Sequence, residues 1–240
     1  MTRLTAVMTD GPCEPDGVTS LRWAAAGNAA ALGQAAAAFC RRNGRDALPN
    51  PHRMYSWARA WVTTPALLQV VTKMIGPDVA VESSLMLVKR PEISYVVPAH
   101  QDGINDQVVL DPARSVAVWL ALSDADEAAG CLQVAAGSHR AGYKSYRRET
   151  VGGSTHLAVK DPAHLVFTKF PVTAGMAIAL DVRTVHRSAA NRSTGPRIAL
   201  NVRYVAPGAV HPRRREPPPA LDVICGNGWP SPPIPRQGRA

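Results

Sequence analysis

The 240-residue chain contains no apolar run near the roughly 18 residues that a membrane-spanning helix requires. Its first ten residues carry Asp10 where a secretory leader would still be apolar, with no long hydrophobic stretch behind it, so a cytoplasmic location is expected. Cysteine is sparse. The four residues, Cys13, Cys40, Cys131 and Cys225, form no Cys-x-x-Cys pair, which excludes a zinc ribbon or dithiol motif and suits a reducing compartment. Acidic residues are few: 18 against 27 basic ones, for a net charge of +9. Arginine supplies 22 of those 27, and they are not clustered among aromatics, so they read as solvated surface charge and not as a polyanion site. Neither a nucleic-acid nor a membrane partner is expected. With 46% apolar and 19% charged residues, the composition is that of a globular chain with one core.

Two helices are expected first. Residues 19–42 are rich in Ala and Leu, begin with Thr19-Ser20 and end at Asn43-Gly44. Residues 65–75 lie between Thr63-Thr64 and Gly76-Pro77. No apolar strand is evident before the first helix. From residue 79 the chain changes to short Val-, Ile- and Leu-rich runs broken by Gly, Pro, Asp and Asn, and strands are expected at 79–89, 94–101, 115–122, 130–134, 164–169, 176–182, 184–189 and 197–205. Eight short strands describe a mainly β sandwich or jelly roll with flanking N-terminal helices. Residues 142–162, polar and containing Gly152-Gly153, read as a long loop or insertion over the barrel mouth. The expected organisation is one domain over 1–206, helical to 78 and β from 79, followed by a Pro- and Arg-rich tail, 207–240. Arg213, Arg214 and Arg215 should be exposed there, with Trp229 a candidate anchor, and the tail should matter little to chemistry.

His100-Gln101-Asp102 closes one expected strand. Residues two apart on a strand share a face, so His100 and Asp102 can reach one ion, and His186, at the end of another apolar run, can add a third ligand. Two imidazoles and a carboxylate on one side of a metal leave open positions, the arrangement that suits iron(II) oxygenases. His-x-Asp alone equally describes a surface histidine and a loop-capping aspartate. Arg197, which opens the strand 197–205, can grip a dicarboxylate through its planar fork, or can be an exposed strand-end residue.

Four stretches in order carry a more specific signal: His100-Gln101-Asp102-Gly103, Val118-Trp119-Leu120-Ala121-Leu122, residues 130–140 (GCLQVAAGSHR), and His186-Arg187-Ser188 through to Pro196-Arg197. Together they resemble the phytanoyl-CoA dioxygenase-like family over about residues 80–206. The resemblance implies a cupin-like double-stranded β-helix with iron(II) on His100, Asp102 and His186, the distal carboxylate of 2-oxoglutarate on Arg197, and Gln101, Trp119 and Ser188 lining the cosubstrate pocket. It also implies oxygen as oxidant, with ascorbate supportive in assays. Ala136 stands where that family usually has proline, and His139 is expected to bond the backbone at a turn and not to bind metal.

The reaction implied is hydroxylation, or another oxidation, of an unactivated C–H bond in a small molecule such as an amino acid or a natural-product intermediate. Candidate substrate contacts lie between the motifs: Tyr95, Asn105, Gln107, Gln133, Asn201 and Arg203. Asn201 and Arg203 share the strand parity of Arg197. The alternatives are a halogenase of the same fold, which Asp102 argues against because a small residue would stand there, and a jelly-roll binding protein without catalysis.

Overall fold

The computed structural model describes residue 13 and residues 15–91, 93, 95–151, 154–214 and 220–229. The chain opens with strand β1 (Val18–Arg22), followed by helix α1 (Ala26–Arg42), a short β2 (Ala47–Pro49) and helices α2 (Pro51–Met54), α3 (Ser56–Val62) and α4 (Pro65–Ile75). Then come β3 (Val79–Lys89), β4 (Val97–His100), β5 (Val108–Leu110), β6 (Ser115–Ala121) and β7 (Leu132–Val134). The hairpin β8 (Tyr146–Val151) and β9 (Ser154–Val159) precedes β10 (Thr168–Phe170), β11 (Met176–Leu180), β12 (His186–Ser188) and β13 (Arg197–Val205). Two further strands follow, β14 (Val210–Pro212) and β15 (Asp222–Cys225).

The larger sheet runs β1-β11-β6-β13-β3-β15, with β2 also on β3, and the smaller runs β10-β7-β12-β4. All their pairings are antiparallel. The period-two alternation of the strands divides their side chains between two cores. On β6, Val116, Val118 and Leu120 pack toward the helices with Trp61, Leu67 and Val71, whereas Ala117, Trp119 and Ala121 face the smaller sheet with Leu132 and Val134. Strands β3 and β13 divide in the same way: Met86, Val88, Ile198, Leu200, Val202 and Tyr204 join the helical side. A third, smaller cluster of Ala99, Ala135, Val159 and Val185 fixes the hairpin to the smaller sheet. The mainly β, jelly-roll class with flanking helices is the one the sequence pattern describes.

Local departures from that pattern have physical causes. Thr19–Arg22 is not the start of α1; Thr19 pairs with Ala179 on β11, and the helix begins only at Ala26. The edge of a sheet was available to an unpaired segment with β-branched residues, and cross-strand pairing overrode the helical reading. The segment 142–162 is a hairpin and not a long loop, its strands matched from Tyr146↔Val159 to Val151↔Ser154, with Val159 packed on Ala99 and Val185. The strand expected at 164–169 begins later, at Thr168, because Pro162–His164 form a 3-10 turn. Past residue 206 the chain supplies two strands: β14 pairs with β5, and β15 extends the larger sheet along β3. Trp229 donates from Nε1 to Cys225 O at 3.2 Å and packs on the inter-sheet core. Arg213 and Arg214 are exposed, while Arg215 and the proline runs lie outside the described residues. Among the described residues no helix is long and apolar enough to cross a membrane.

Candidate metal centre

Strand pairing delivers the three metal-ligating candidates to one point. β12 lies against β4 with His186 directly opposite His100, and the two rings stand 4.2 Å apart, centroid to centroid. Asp102 follows β4 in a turn that brings its carboxylate between them, Oδ1 at 3.8 Å from His100 Nε2 and Oδ2 at 3.5 Å from His186 Nε2. Gly103 makes the turn possible, since a Cβ there would lie 2.1 Å from the Tyr143 hydroxyl. Each imidazole is oriented by its other nitrogen: His100 Nδ1 donates to Pro98 O at 2.8 Å and His186 Nδ1 to Thr184 O at 3.0 Å. That tautomer leaves both Nε2 lone pairs turned to the shared point. Asn201 Nδ2 donates to both Asp102 oxygens, at 3.1 and 3.0 Å, and Arg203 Nη1 to its backbone carbonyl at 2.8 Å. Burial raises the Asp102 carboxyl, but the pull of His186, His100, Arg203 and Asn201 outweighs it and keeps the group ionised, while burial and the neighbouring His186 hold His100 down at about 4. One anionic oxygen donor and two neutral nitrogen donors converge, a set matched to a divalent transition metal.

Beside this cluster is a small cavity of about 110 Å³, bounded by Tyr95, Trp119, Ser188, Arg197 and Asn201 among others. Arg197 is 1% exposed, and its guanidinium lies 5.4 Å from the Trp119 ring centre. Its Nη2 reaches Ser188 Oγ at 3.3 Å and its Nε has no partner among the described residues. Directly across the sheet, in register with Arg197, stands Lys89, equally buried, donating to Ser188 Oγ at 2.8 Å and to the Ser188 and Ala189 carbonyls. Burial and the Arg197 charge press the Lys89 ammonium down to about 6, and burial lowers Arg197 to about 10. Two like charges opposite one another on neighbouring strands repel. Among the described residues no carboxylate is within ion-pair distance of either. Lys89 is the residue that motif reasoning missed. Its only sequence signal was a charge closing a long apolar strand.

A wider cavity of about 390 Å³ opens from the other side of the cluster toward solvent, between Asn50, Ser83, Ile104, Asn105, the hairpin residues Arg148, Thr155, His156 and Leu157, and Asn201 and Arg203. The sequence candidates therefore separate. Trp119, Ser188, Arg197 and Tyr95 line the small cavity, Asn105 and Arg203 the wider one, and Asn201 both. Gln101 is not in the small cavity. It faces the wider one with its amide committed, Nε2 to Gly142 O and Arg183 O and Oε1 to Lys144 N, so it ties three loops together. Gln107 and Gln133 line neither cavity. Gln107 is exposed, its backbone N–H bonded to Asn105 Oδ1, and Gln133 falls on the outward parity of β7, where it accepts from Arg187 Nε at 2.8 Å. His139 lies away from the cluster, but its Nδ1 is buried beside Gly17 without the backbone bond expected of it.

The family model for phytanoyl-CoA dioxygenase (PhyH) matches residues 13–199. The chain belongs to that family. Among its relatives are phytanoyl-CoA dioxygenase 1 of Oryza sativa subsp. japonica, 32% identical over 52% of this chain and 44% of that protein, and phytanoyl-CoA dioxygenase domain-containing protein 1 of Danio rerio, 31% identical over 56% and 47%. The chain thus spans just under half the length of the curated relatives it matches. Solved structures with the same fold include the non-heme monooxygenase ThoJ, with a TM-score of 0.68 and 25% identity over 89% of this chain and 82% of that one. The alpha-ketoglutarate-dependent carbocyclase SnoK from nogalamycin biosynthesis superposes with a TM-score of 0.71 at 21% identity over 88% and 92%. The epimerase SnoN, solved with Fe3+ and alpha-ketoglutarate, gives 0.68 at 18% identity over 89% and 92%. For this phytanoyl-CoA dioxygenase family member, the last two likenesses establish the fold.

Proposed function

We propose that the chain is an iron(II)- and 2-oxoglutarate-dependent oxygenase that oxidises a C–H bond of a small molecule, of the size of an amino acid or a natural-product intermediate. The observation that carries this reading is a metal-ligating cluster placed beside buried Arg197, with Lys89 opposite it and no carboxylate within ion-pair distance of either among the described residues. His100, Asp102 and His186 would hold iron on one side and leave its remaining positions to ligands. Arg197 would take the distal carboxylate of 2-oxoglutarate, while Lys89, whose donors go to Ser188 and Ala189, would add charge through Ser188, which accepts from both side chains. The orphaned Nε of Arg197 fits a group that completes this cavity. When bound, iron with its cosubstrate supplies the oxidising power for C–H cleavage, with oxygen consumed and 2-oxoglutarate converted to succinate and carbon dioxide.

The protein's own share is placement. Trp119 lines the small cavity beside Arg197, and His156 of the β8–β9 hairpin lines both cavities next to the cluster. Asp102 fills the position at which a halogenase of this fold would need a small residue, so hydroxylation or a related oxidation is the reading the cluster supports. Succinate release from 2-oxoglutarate by the full chain with iron(II) and ascorbate is the test. A metal-loaded protein that neither binds nor turns over 2-oxoglutarate would refute it.

A further inference from the structure

The two cavities share the metal cluster but differ in charge. The small one is lined by Arg197 and Arg187, with Asp102 of the metal cluster as its one acid among the described residues, and Lys89 is bonded to its wall residue Ser188. In the wider one, every charged side chain of the wall is already matched. Arg203 Nε lies 2.8 Å from Glu82 Oε2 and 2.5 Å from Ser83 Oγ, and its Nη1 is bonded to Asp102 O. Glu82 is 4% exposed, so pulling Arg203 toward a ligand would strand a buried carboxylate, a costly exchange. At the mouth, Arg148 on the hairpin meets Asp106 at 2.5 Å. His156 is kept neutral by burial, and its Nε2 is 2.9 Å from the Tyr95 hydroxyl. Asp102 belongs to the metal cluster. What remains of the wall is neutral and mixed: Asn50, Asn105 and Thr155 with Pro49, Leu85, Ile104 and Leu157.

A ligand ion entering such a space gives up part of its hydration and must compete with charge pairs already formed, whereas a neutral molecule exchanges water hydrogen bonds for those of the wall. Building on the oxygenase reading, we propose that the wider cavity takes an electrically neutral, hydroxyl- or amide-bearing substrate and discriminates against free amino acids and other ions. The volume of about 390 Å³ suits a molecule of one or two rings. Selectivity by charge thus divides the site, with the anionic cosubstrate directed to Lys89 and Arg197 and the neutral substrate to the hairpin side.

The test uses three ring-matched probes on the full chain loaded with zinc(II), with and without 2-oxoglutarate: methyl β-D-glucopyranoside, D-glucuronate and D-glucosamine, titrated by saturation-transfer NMR. The neutral glycoside is expected to bind at least about tenfold more tightly than either charged ring. Thr155→Trp, an exposed hairpin position on the cavity wall, should weaken it by a similar factor. Equal affinities, undetectable binding of all three, tighter binding of a charged ring, or indifference to Thr155→Trp would each overturn the proposal. Calorimetry of 2-oxoglutarate on the same zinc-loaded chain separates the two readings: no binding there refutes the cosubstrate assignment, while the ranking without 2-oxoglutarate still decides this one.

Discussion

Lys89 gives the site a measurable proton linkage. With the cavity empty, burial and the adjacent Arg197 charge bring its ammonium down to about 6, so at pH 7 the side chain is mostly neutral. A carboxylate placed against it favours the charged form. A unit charge about 6–8 Å away at an effective dielectric of about 20 contributes roughly 2–3 kcal/mol, and one pKa unit corresponds to about 1.36 kcal/mol, so binding should raise Lys89 by about one to two units. The sign then follows. Well below pH 6 the ammonium is charged whether the cavity is empty or filled, and affinity for 2-oxoglutarate is at its plateau. Above the bound-state value it is neutral in both, and its contribution is lost. In between, binding takes up a proton, and the dissociation constant should weaken roughly five- to twenty-five-fold from pH 6 to pH 8. Isothermal titration of 2-oxoglutarate into the zinc-loaded chain, in two buffers of different ionisation enthalpy, measures both affinity and proton uptake. Lys89→Met should bind more weakly and show no such slope. A flat wild-type profile without proton uptake, or a slope that survives in Lys89→Met, would refute the reasoning.

Four further outcomes are expected. His100→Ala and His186→Ala should each lose bound iron and succinate formation, checked by metal analysis and turnover; near wild-type turnover in both would place the metal elsewhere. Arg197→Lys should raise the Michaelis constant for 2-oxoglutarate about ten- to hundredfold, the worth of the planar fork, and Arg197→Met should raise it more, with iron retained in both. Truncation after Glu216 removes β15 and Asp222, whose carboxylate accepts from Arg53 Nε at 2.6 Å and lies 3.1 Å from the buried His52 Nε2, the ring whose Nδ1 in turn meets Ser84 Oγ at 2.6 Å. The truncated chain should melt several degrees lower, and an unchanged transition would show that the strand is dispensable. Gly33→Ala would set a methyl group 2.1 Å from Leu122 O, forcing α1 off the sheet at a cost of about 1–3 kcal/mol in denaturant unfolding.

Much of the site could be read from local pattern because its parts sit at the ends of apolar strands, where a polar residue is conspicuous. His100 and Asp102 share a face by strand parity, and β13 runs from Arg197 to Val205 as its apolar alternation requires. The motif order gave the family, and eight of the strands stand near their expected places. What the sequence could not decide was partnership between distant segments. Lys89 came to face Arg197 only because antiparallel pairing put it there, and nothing within β3 distinguishes it from a solvated strand-end lysine. Gln133 fell outside the cavities because β7 turns that parity outward toward Arg187. Residues 18–22 and 222–225 became strands at free edges of the larger sheet, and 146–151 and 154–159 by pairing with each other. Side-chain period is a property of a few consecutive residues, and so is written in the chain; register, edge capture and the meeting of two buried charges are settled by hydrogen bonds between segments up to a hundred or more residues apart, and only the folded molecule fixes them.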